Sequence, residues 1–573
     1  MYINSAGKEP QTYDAIVVGS GMSGGIAAKE LAHNGLKVLM IERGPKREHI
    51  TDYIHATKDP WQMPHHGGIT KEIKERFPRM TTEGSYPINE TNDQFWMPFA
   101  ESPYEREKPF DWFRGYGVGG KSLVWGRIAL RWGPQDFEAN AREGIAVDWP
   151  IRYEDLAPWY SHIEKFVGVS GEKLGLDNFP DGEFQPPFEL NCVEKHFQNK
   201  MKAIYGDKRI MTIGRVAHLT EPNDEQLSLG RTNCLSRNMC AKGCPYGGYY
   251  STNAGALPAA MKTGNLTVLT NAVVSEVIFD EATQKASGVC VVDTESKETS
   301  EFFAKVLFLN ASTIGTAQIM LNSKSKRFPN GLGNDSGQLG KNIMDHHSRV
   351  GARAEVDGFL DKYYYGRRPA GLFIPRFRNI HGDKRDYLRG FDFQGSAGRG
   401  RGNTEGAPSF GAAYKNALSQ VGSWGIGLSS FGECLPYEEN RIYLHESEKD
   451  QFGMPKIVFD AEFKENEMKM RLDMEQSAGE ILEACGAKNV KTYRKEKPPL
   501  GLSKHEMGTA RMGHDPKTSV LNKNNQVWGA SNVFVTDGAA MTSSSYVNPS
   551  LTYMALAARA AHFATEEIKK GDL

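Results

Sequence analysis

Residues 13–44 read YDAIVVGSGMSGGIAAKELAHNGLKVLMIERG, and this stretch decides the fold. An apolar, β-branched run predicts a strand that enters the loop Gly19-x-Gly21-x-x-Gly24, after which small residues open a helix. A second predicted strand follows and ends at Glu42. The order of strand, glycine loop, helix, strand and acid is typical of a dinucleotide-binding domain.

Each feature of this loop has a physical role in holding a dinucleotide. One glycine makes the tight turn, one lets pyrophosphate approach the backbone, and one lets the helix pack closely on the strand. The positive end of the helix then faces the phosphates. Glu42 accepts hydrogen bonds from a ribose hydroxyl, which favours FAD or NAD over NADP.

Length and charge exclude several classes of protein. A chain of 573 residues predicts two or more domains, and a net charge of −1 without a basic stripe argues against a nucleic-acid partner. No run approaches the ~20 apolar residues of a membrane span. The first residues contain neither an apolar core nor twin arginines, so we expect no export signal of the chain's own.

The C-terminal region carries a second set of signals. The segment SKHEMGTARMGHDP, at 503–516, contains His505. Further on, a predicted strand ends at Asp537, and a small-residue loop leads through Asn548 to Pro549. Proline suits the first turn of a helix, so we expect a helix from there to about residue 568. A strand end beside a second helix N-terminus suits a flavin.

With these segments the sequence resembles the glucose–methanol–choline oxidoreductases, which hold FAD and oxidise alcohols. RGYGVGGKSLVWG, at 114–126, resembles the glycine-rich stretch that this family places against the flavin. NASTIGTAQIMLNS, at 310–323, resembles its second signature. The resemblance implies an α/β protein, in which an FAD-binding Rossmann-like domain is joined to an α+β substrate domain built on an antiparallel sheet.

The resemblance also implies that each domain is assembled from separate segments. The FAD-binding domain is expected to combine residues 10–165, 228–346 and 500–570. The substrate domain is expected to combine residues 166–227 and 347–499. On this division the flavin would be held by the two ends and the middle of the chain.

The family pattern places particular residues at the site. His505 matches the catalytic histidine, which as a neutral imidazole accepts the hydroxyl proton, and Asn548 matches the partner that hydrogen-bonds the substrate oxygen. His346 either lines the flavin or packs at the hinge between domains; His347 and His514 are less clear. The residues implied to contact FAD are Gly19, Gly21, Gly24, Glu42, Gly119, Ser122, Val274, Asp537, Asn548 and Pro549.

One departure from the pattern bears on how FAD is held. After the double glycine the common family pattern has an asparagine, whereas this chain has KSLVW at 121–125. This form, which contains a tryptophan, more closely resembles the sugar-oxidising branch of the family. Pyranose oxidases of that branch attach FAD through a histidine two residues after the serine. Here Val124 follows Ser122 at that distance and cannot form the bond. We therefore expect FAD to be bound non-covalently.

Three of the seven cysteines are crowded into NCLSRNMCAKGCPYGG, at 233–248. A disulfide would leave one of Cys234, Cys240 and Cys244 unpaired, and zinc needs a fourth ligand. The nearest histidine, His218, lies 16 residues before the first of them. Three thiolates in a glycine-containing loop that ends in Cys-Pro suit an iron–sulfur cluster. Structural thiols or an empty site are the alternative.

The flavin subunits of bacterial sugar dehydrogenase complexes share this spacing, so the resemblance implies a 3Fe-4S cluster on these cysteines. Such a cluster takes electrons singly and would pass them to a cytochrome c or a quinone through a small partner subunit. The partner often carries the export signal, so either a periplasmic location by co-export or a cytoplasmic one fits. An oxidase that releases hydrogen peroxide is the first alternative function, and a flavin-storage protein is the second.

The substrate region has its own composition. Residues 361–379 hold three tyrosines and four arginines, which suits a sugar, and 392–403 form a glycine-rich run that we expect to be a flexible lid. Parts of this region loosely resemble the glucoside 3-dehydrogenases. The resemblance implies oxidation at C3 of a glucoside, giving a 3-keto sugar.

Overall fold

The computed structural model of the chain describes residues 2–3, 12–81, 88–363, 371–401 and 408–573. The helices are α1 (Met22–His33), α2 (Lys71–Arg76), α3 (Pro134–Glu143), α4 (Tyr153–Val167), α5 (Cys192–Tyr205), α6 (Asp224–Ser228), α7 (Ala256–Lys262), α8 (Thr313–Asn322), α9 (Gly411–Ser419), α10 (Glu465–Ala484) and α11 (Ser550–Lys570).

The strands follow in chain order. They are β1 (Tyr2–Ile3), β2 (Thr12–Val18), β3 (Val38–Ile41), β4 (Glu105–Arg106), β5 (Thr212–Ile213), β6 (Leu266–Leu269), β7 (Ala272–Asp280), β8 (Lys285–Asp293), β9 (Thr299–Leu309), β10 (Val350–Val356), β11 (Leu372–Ile374), β12 (Phe391–Arg401), β13 (Val421–Gly432), β14 (Arg441–Lys449), β15 (Pro455–Asp460), β16 (Lys488–Arg494), β17 (Gln526–Val527) and β18 (Ala530–Val535).

The larger sheet has the order β1–β6–β3–β2–β9–β18–β17. Its strands are parallel from β1 to β18, and a meander of β7 and β8 joins antiparallel at β9. In the register, Val18 lies between Ile41 and Leu309. The segments that leave these strands, at Gly19, Glu42 and Asn310, therefore meet at the same edge. Ligands of open α/β sheets bind at this edge.

Two helices cover the central strands of the larger sheet. Helix α1 buries Ile26 and Leu31, and the long helix α11 packs beside it with the apolar side chains of Leu551, Met554 and Leu556 fully buried. α11 begins at Ser550, directly after Pro549, and ends two residues beyond the predicted end. The predicted Rossmann-like arrangement of the N-terminal segment is confirmed.

The second sheet is antiparallel and has the order β16–β10–β13–β12–β11–β5. Trp424, Ile426 and Leu428 alternate along β13 and are buried on the side covered by α10, whereas the residues between them face the larger sheet. All six of these strands lie within the ranges 166–227 and 347–499. The domain boundaries themselves stay a prediction.

The predicted lid over 392–403 is wrong for the residues that the structure describes. Residues 391–401 form β12, which is paired with β13 along most of its length. Phe391, Phe393 and Ala397 are buried at alternate positions, and this period-two burial holds the segment in the sheet despite its glycines. The last two residues of the predicted lid, and 364–370 of the predicted tyrosine and arginine cluster, lie outside the described residues.

A third, small sheet joins distant parts of the chain. β15 pairs with β14 and, in parallel, with β4 of the N-terminal segment. The ring of Phe459 stacks on that of Phe110 at 4.0 Å, which anchors this sheet beside the larger one. Among the described helices, none combines the length and the apolar character needed to cross a bilayer.

Candidate active site

A cavity of about 730 Å³ lies between the carboxyl edge of the larger sheet and the open face of the antiparallel sheet. Most of the residues predicted to form the site line it. They are Gly19, Gly21, Glu42, Ser122, Val274, His505, Asp537, Asn548 and Pro549. Gly24 and Gly119 lie just behind the wall, where they serve the packing of the chain.

The three loop glycines have different surroundings. A Cβ atom on Gly19, whose φ is +95°, would lie 2.2 Å from the carbonyl oxygen of Asn310. A Cβ on Gly24 would lie 1.9 Å from the carbonyl oxygen of Gly19. At Gly21, by contrast, no described atom lies within 4 Å of that position. The first two glycines allow the chain to pack on itself, whereas Gly21 leaves room in the cavity for a ligand.

The carboxylate of Glu42 is fixed in the cavity wall. One oxygen accepts hydrogen bonds from the amide and hydroxyl of Ser20, at 3.2 and 2.5 Å, and the other accepts from the amide of Gly44 at 2.9 Å. Burial raises the pKa of Glu42, and these hydrogen bonds act in the opposite direction. Glu42 is therefore a fixed acid at the end of β3, and its ribose-binding role stays a prediction.

Several buried polar groups in this wall have no hydrogen-bond partner in the part of the chain that the structure describes. Arg114 is 6% exposed, and none of its guanidinium nitrogens has a hydrogen-bond partner among the described residues. The same holds for Trp96 Nε1 and Asn310 Nδ2, both on the cavity wall. Unpaired buried donors are costly unless a ligand accepts from them. They fit FAD, whose phosphates, ribose and ring supply many acceptors.

Sequence reasoning missed Arg114 as a site residue. It opens the stretch RGYGVGGKSLVWG and lies over the ring of Trp112, with 4.3 Å between the guanidinium carbon and the ring centroid. Burial, and then the neighbouring Arg43, lowers the pKa of Arg114 to about 9. Its position within the glycine-rich signature was the signal, since a buried arginine beside such a loop faces the same ligand.

A chain of hydrogen bonds fixes the proton on His505. His346 Nε2 lies 2.5 Å from the carbonyl oxygen of Ser545, which only accepts, so that nitrogen carries the proton of the neutral ring. His346 Nδ1 therefore accepts from His505 Nδ1 at 2.8 Å. It follows that His505 Nε2 is unprotonated, and this nitrogen faces Asn548 at the cavity wall. His505 is thus prepared as a base.

The two histidines after Asp345 have different positions. His346 is 1% exposed and lies behind His505 rather than on the cavity wall, so it supports the base instead of lining the flavin site. His347 is fully buried and its Nε2 lies 3.1 Å from the carbonyl oxygen of Glu433, at the end of β13. His514, the remaining candidate, is exposed. Of the three, His346 is the one that contacts His505.

Asn548 is oriented by a neighbour on the antiparallel sheet. Its Nδ2 lies 3.3 Å from His505 Nε2, and its Oδ1 accepts from Gln394 Nε2 at 2.9 Å. Gln394 is held in turn by the buried carboxyl of Asp392 at 3.0 Å. The amide of Asn548 therefore presents its NH₂ group to the place where a substrate oxygen would meet the base.

The backbone before His505 is anchored by one carboxyl group. Asp345 accepts from the amides of Gly501, Ser503 and His505 at 2.9, 3.0 and 2.9 Å. Burial, followed by the charge of Glu506, raises the pKa of Asp345 to about 7. The adjacent Asp345 and His346 thus position both the backbone and the ring of His505.

The electrostatic surroundings keep His505 neutral. Burial lowers its pKa well below the ordinary value, and His346, Lys121 and Lys504 lower it further. Lys121 Nζ is paired with Glu506 Oε2 at 2.7 Å, next to the base. A neutral imidazole is needed to accept a proton. Because Lys121 and Lys504 lower the pKa of His505, they extend to lower pH the range in which it can act as a base.

The roof of the cavity is polar. Side chains of alternate residues on β12, β13 and β10 point down from the antiparallel sheet, and they include Gln394, Ser396, Ser429 and Arg353. Tyr493 of β16 completes this side. Hydroxyl, amide and guanidinium groups around an aromatic ring suit a ligand with several hydroxyl groups.

The three clustered cysteines surround a separate small cavity. Cys234, Cys240 and Cys244 are unpaired and partly exposed, and together with His218 and Tyr249 they line a space of about 20 Å³. Among the described residues, these thiols do not form a group whose ligand atoms all lie within 4.8 Å of one another. That spacing argues against a single tetrahedral ion and is compatible with a cluster, which spreads its ligands over several metal atoms.

Hydrogen bonds join the residues around the cysteine cavity to those around the main cavity. The hydroxyl of Tyr249 donates to the carbonyl oxygen of Leu123 and lies 3.3 Å from that of Cys240. Leu123 follows Ser122 in the turn that lines the main cavity, and Trp125 Nε1 donates to the carbonyl oxygen of Tyr250 at 2.9 Å. Val124, the residue on which the expectation of non-covalent FAD rests, lies in the same wall. The two sites therefore share a wall.

Three family models match this chain. Two are described as GMC oxidoreductase and match residues 225–348 and 436–557, and one is described as an FAD binding domain and matches residues 14–86. A formate oxidase variant from Aspergillus oryzae has a solved structure that superposes with a TM-score of 0.60 at 14% identity, covering 98% of this chain and 100% of that one. At that identity the likeness shows the fold alone.

Two named relatives align over most of the chain, and a third aligns over a quarter of it. A 2-methyl-1,2-propanediol dehydrogenase from Mycolicibacterium austroafricanum is 29% identical, over 96% of this chain and 94% of that protein. The fructose dehydrogenase large subunit of Gluconobacter japonicus is 26% identical, over 98% and 99%. A C-glycoside 3-oxidase from Microbacterium trichothecenolyticum is 29% identical over 25% of this chain and 28% of that protein.

Proposed function

The chain belongs to the GMC oxidoreductase family, and from this premise we propose that it oxidises a sugar hydroxyl, at C3 of a glucoside, to a 3-keto sugar. The observation that carries the proposal is the unprotonated Nε2 of His505, held beside the NH₂ group of Asn548 at the cavity wall. A carbinol needs this pair of groups, because its oxygen must be held while its proton leaves.

The chain's own residues perform the proton transfer. The substrate hydroxyl binds between Asn548, which donates to its oxygen, and His505 Nε2, which accepts its proton. When bound, FAD supplies the acceptor for the hydride that leaves the carbinol carbon. His346 keeps the Nδ1 proton of His505 in place, so that the accepting nitrogen faces the substrate before and during the transfer.

The choice of a sugar rests on the roof of the cavity. Gln394 and Ser396 of β12 and Ser429 of the neighbouring β13 offer donors and acceptors, and Tyr493 offers a ring face. Both the fructose dehydrogenase large subunit and the C-glycoside 3-oxidase are named for sugar substrates. The position C3 rests on the loose resemblance to glucoside 3-dehydrogenases and on the name of the second relative.

We propose further that the electrons leave through a 3Fe-4S cluster held by Cys234, Cys240 and Cys244. Support comes from three unpaired thiols around one cavity and from the wall that it shares with the flavin site. When bound, such a cluster supplies transfer of electrons one at a time. Two glycines with positive φ, Gly243 and Gly247, let the loop fold back around this cavity.

An external acceptor completes this proposal. Leu235, inside the cysteine loop, is 56% exposed, and Trp61 is 72% exposed on a segment tied to the loop by Lys242, whose ammonium donates to the carbonyl oxygen of Lys58 at 2.7 Å. Apolar side chains beside a redox centre suit a docking protein. We propose a small partner subunit and a cytochrome c or quinone acceptor, with co-export to the periplasm as one location and the cytoplasm as the other.

The substrate proposal is tested by anaerobic mixing with glucosides. Purified enzyme is mixed with methyl glucoside, glucose and fructose, flavin bleaching is followed, and the product is identified by NMR. We expect the glucoside to bleach the flavin fastest and to yield a 3-keto product. His505→Gln should slow bleaching by about 10²- to 10⁴-fold at unchanged FAD content.

The control for this experiment is His514→Gln, since His514 is exposed and lies outside the cavity wall. A flavin-storage protein would bleach equally in the two variants. A product oxidised at another carbon would refute the assignment to C3, but the proposal of a sugar dehydrogenase would stand. No bleaching by any sugar would refute the proposed substrate class.

The cluster is tested on wild type and Cys240→Ser. Iron, sulfide and FAD are quantified and low-temperature EPR spectra are recorded. We expect three irons per FAD in the wild type, with iron lost and FAD kept in the variant. The cluster would be refuted if wild type and variant both held FAD but neither held iron or sulfide, even after reconstitution with iron and sulfide.

A glycoside oxidase is the second candidate, favoured by the name of the C-glycoside 3-oxidase relative. It would consume one dioxygen per sugar oxidised and release hydrogen peroxide. Oxygen uptake during turnover, compared with reduction of added cytochrome c or quinone analogue, separates the two. If oxygen uptake is fast and an added acceptor does not increase the rate of sugar oxidation, the protein is an oxidase and the dehydrogenase proposal is wrong.

A further inference from the structure

The fold brings His218 to the cysteine cavity, although it lies 16 residues before the first cysteine. Its backbone forms an isolated bridge with Tyr249, directly after the cysteine loop. Its ring is 1% exposed and stands 5.7 Å from the Tyr249 ring. The sequence spacing alone gave no sign of this contact.

The protonation state of this imidazole is set by Arg127. Arg127 Nε donates to His218 Nε2 at 3.3 Å, and an arginine has no acceptor to offer in return. Nε2 must therefore be the unprotonated nitrogen, and burial together with the charges of Arg127 and Arg231 keeps the ring neutral by lowering its pKa. The single ring proton lies on Nδ1.

This N–H group has nothing to donate to within the described protein. His218 Nδ1 is buried and lacks a hydrogen-bond partner among those residues, while its ring lines the cavity around Cys234, Cys240 and Cys244. A buried donor without an acceptor is destabilising unless a bound group accepts from it. The three cysteines place their thiols around the same cavity, whose wall also includes Arg237 and Tyr249.

We propose that His218 donates a hydrogen bond from Nδ1 to a sulfur atom of the iron–sulfur centre, an inference that rests on the proposed cluster. Ligation of iron by Nδ1 requires an unprotonated nitrogen, which the hydrogen bond from Arg127 opposes. A donor to sulfur stabilises the more negative, reduced form of a cluster and thereby raises its reduction potential.

The same contact links the two redox sites. Arg127 lies in the wall of the main cavity, and its Nη1 donates to the carbonyl oxygen of Trp125, another residue of that wall. His218 is thus held by a residue of the flavin cavity while it faces the cysteines. Its function is to make the cluster a better acceptor for electrons from the substrate.

The experiment is an anaerobic redox titration of the holoenzyme followed by EPR. The proteins are the wild type, His218→Leu and His218→Asn, since asparagine keeps an N–H donor near the position of Nδ1. We expect His218→Leu to keep three irons per FAD while its cluster potential falls by about 59 mV or more, a tenfold shift of the one-electron equilibrium. His218→Asn should restore most of the loss.

The matched control is His162→Leu. His162 is an exposed histidine of α4 that is paired with Glu30 of α1 at 2.7 Å, and it does not line the cysteine cavity. Its replacement should leave the potential of the cluster unchanged. An equal shift in this control would mean that the effect at His218 is not specific to the sulfur site.

The alternative outcomes are distinct. An unchanged potential in His218→Leu with an intact cluster would overturn the donor role. Loss of iron or a new cluster type in both variants would make His218 a ligand, which also overturns the donor role.

If His218→Leu does not fold, pulsed EPR of the wild type labelled with ¹⁵N-histidine decides between the two roles. A hydrogen-bond donor gives weak ¹⁵N coupling, and an iron ligand gives strong ¹⁵N coupling. A wild type free of iron and sulfide would refute the cluster, and with it this inference.

Discussion

The chemistry of the site depends on the position of single protons. The carbonyl oxygen of Ser545 fixes the proton on His346, His346 fixes the proton on His505, and His505 is left with its basic nitrogen toward the cavity. At the second site Arg127 fixes the proton on His218 in the same way. In both cases a hydrogen bond with a neighbouring group decides which ring nitrogen carries the proton, as hydrogen bonds to metal-binding histidines do.

The His346 contact can be tested by removing its acceptor. In His346→Phe the Nδ1 proton of His505 loses its partner, so the ring is free to take the tautomer with a protonated Nε2. We expect the rate of flavin reduction to fall by about 10- to 100-fold, with FAD content unchanged. His346→Asn offers an oxygen near the place of Nδ1 and should recover part of the rate. Equal rates in wild type and His346→Phe would refute the tautomer argument.

The pH dependence of the reaction follows from the cations beside the base. Activity needs neutral His505, so it is lost as the pH falls through the pKa of His505, which lies well below the ordinary value. Lys121 contributes to that lowering. Lys121→Met should therefore raise this pKa and move the acid limb of kcat/KM to higher pH. Lys324→Met, which removes an exposed lysine, is the control. The argument would be contradicted if the acid limb of Lys121→Met did not move, or moved no further than that of the control.

At the scale of elements, the glycine loop joins β2 to α1 and sets how closely the helix approaches the sheet. Gly24 allows the first turn of α1 to touch the carbonyl oxygen of Gly19, and Gly25 allows it to touch the side chain of Thr252. Gly21, the residue that caps α1, has open space around it. The same motif thus contains glycines for folding and a glycine for binding.

This division predicts different outcomes for two alanine variants. Gly24→Ala forces a Cβ atom to 1.9 Å from the oxygen of Gly19 and should destabilise the apoprotein by about 1–3 kcal/mol. Gly21→Ala meets no described atom and should leave apoprotein stability unchanged, while FAD affinity falls by about tenfold. Chemical unfolding of the apoproteins and FAD titration give both quantities. Equal loss of stability in the two variants would contradict the division.

At the scale of the whole molecule, a buried charge network joins the antiparallel sheet to the N-terminal segment. Glu433, at the end of the β13 region, lies 3.1 Å from Arg376. Arg389 approaches Glu143 of α3 at 2.6 Å and donates to Asn140 at 2.6 Å. Arg389 also lies 3.8 Å from Glu433. Burial raises the pKa of Glu433, and the two arginines act against this rise. The network fixes the roof of the cavity over its floor.

Removing one cation from this network should be costly. Arg389→Met leaves Glu143 and Glu433 near each other without their shared partner, and breaking a buried pair in this way costs about 3–5 kcal/mol. We expect urea unfolding, followed by tryptophan fluorescence, to show this loss. Lys488→Met, which removes an exposed ion pair with Asp357, should leave the midpoint unchanged. A similar midpoint for both variants would refute the role of the network.

The sequence by itself determined the parts that depend on local spacing. The glycine loop with Glu42, the segments around His505 and Asn548, and the three clustered cysteines could be found in the sequence because each is a short local pattern. The class of fold followed from the order of strand, loop and helix at the N-terminus. The predicted lid failed because its glycines concealed the alternating burial that makes β12 a strand.

Only the tertiary structure decided which distant side chains support that chemistry. His346 and His505 are 159 residues apart, and His218 reaches the cysteines through its bridge to Tyr249. Arg114 became a site residue because the structure leaves its buried guanidinium without a protein partner among the described residues. A hydrogen bond depends on distance and direction in space, and no local pattern encodes either for groups that meet only when the sheets pack together.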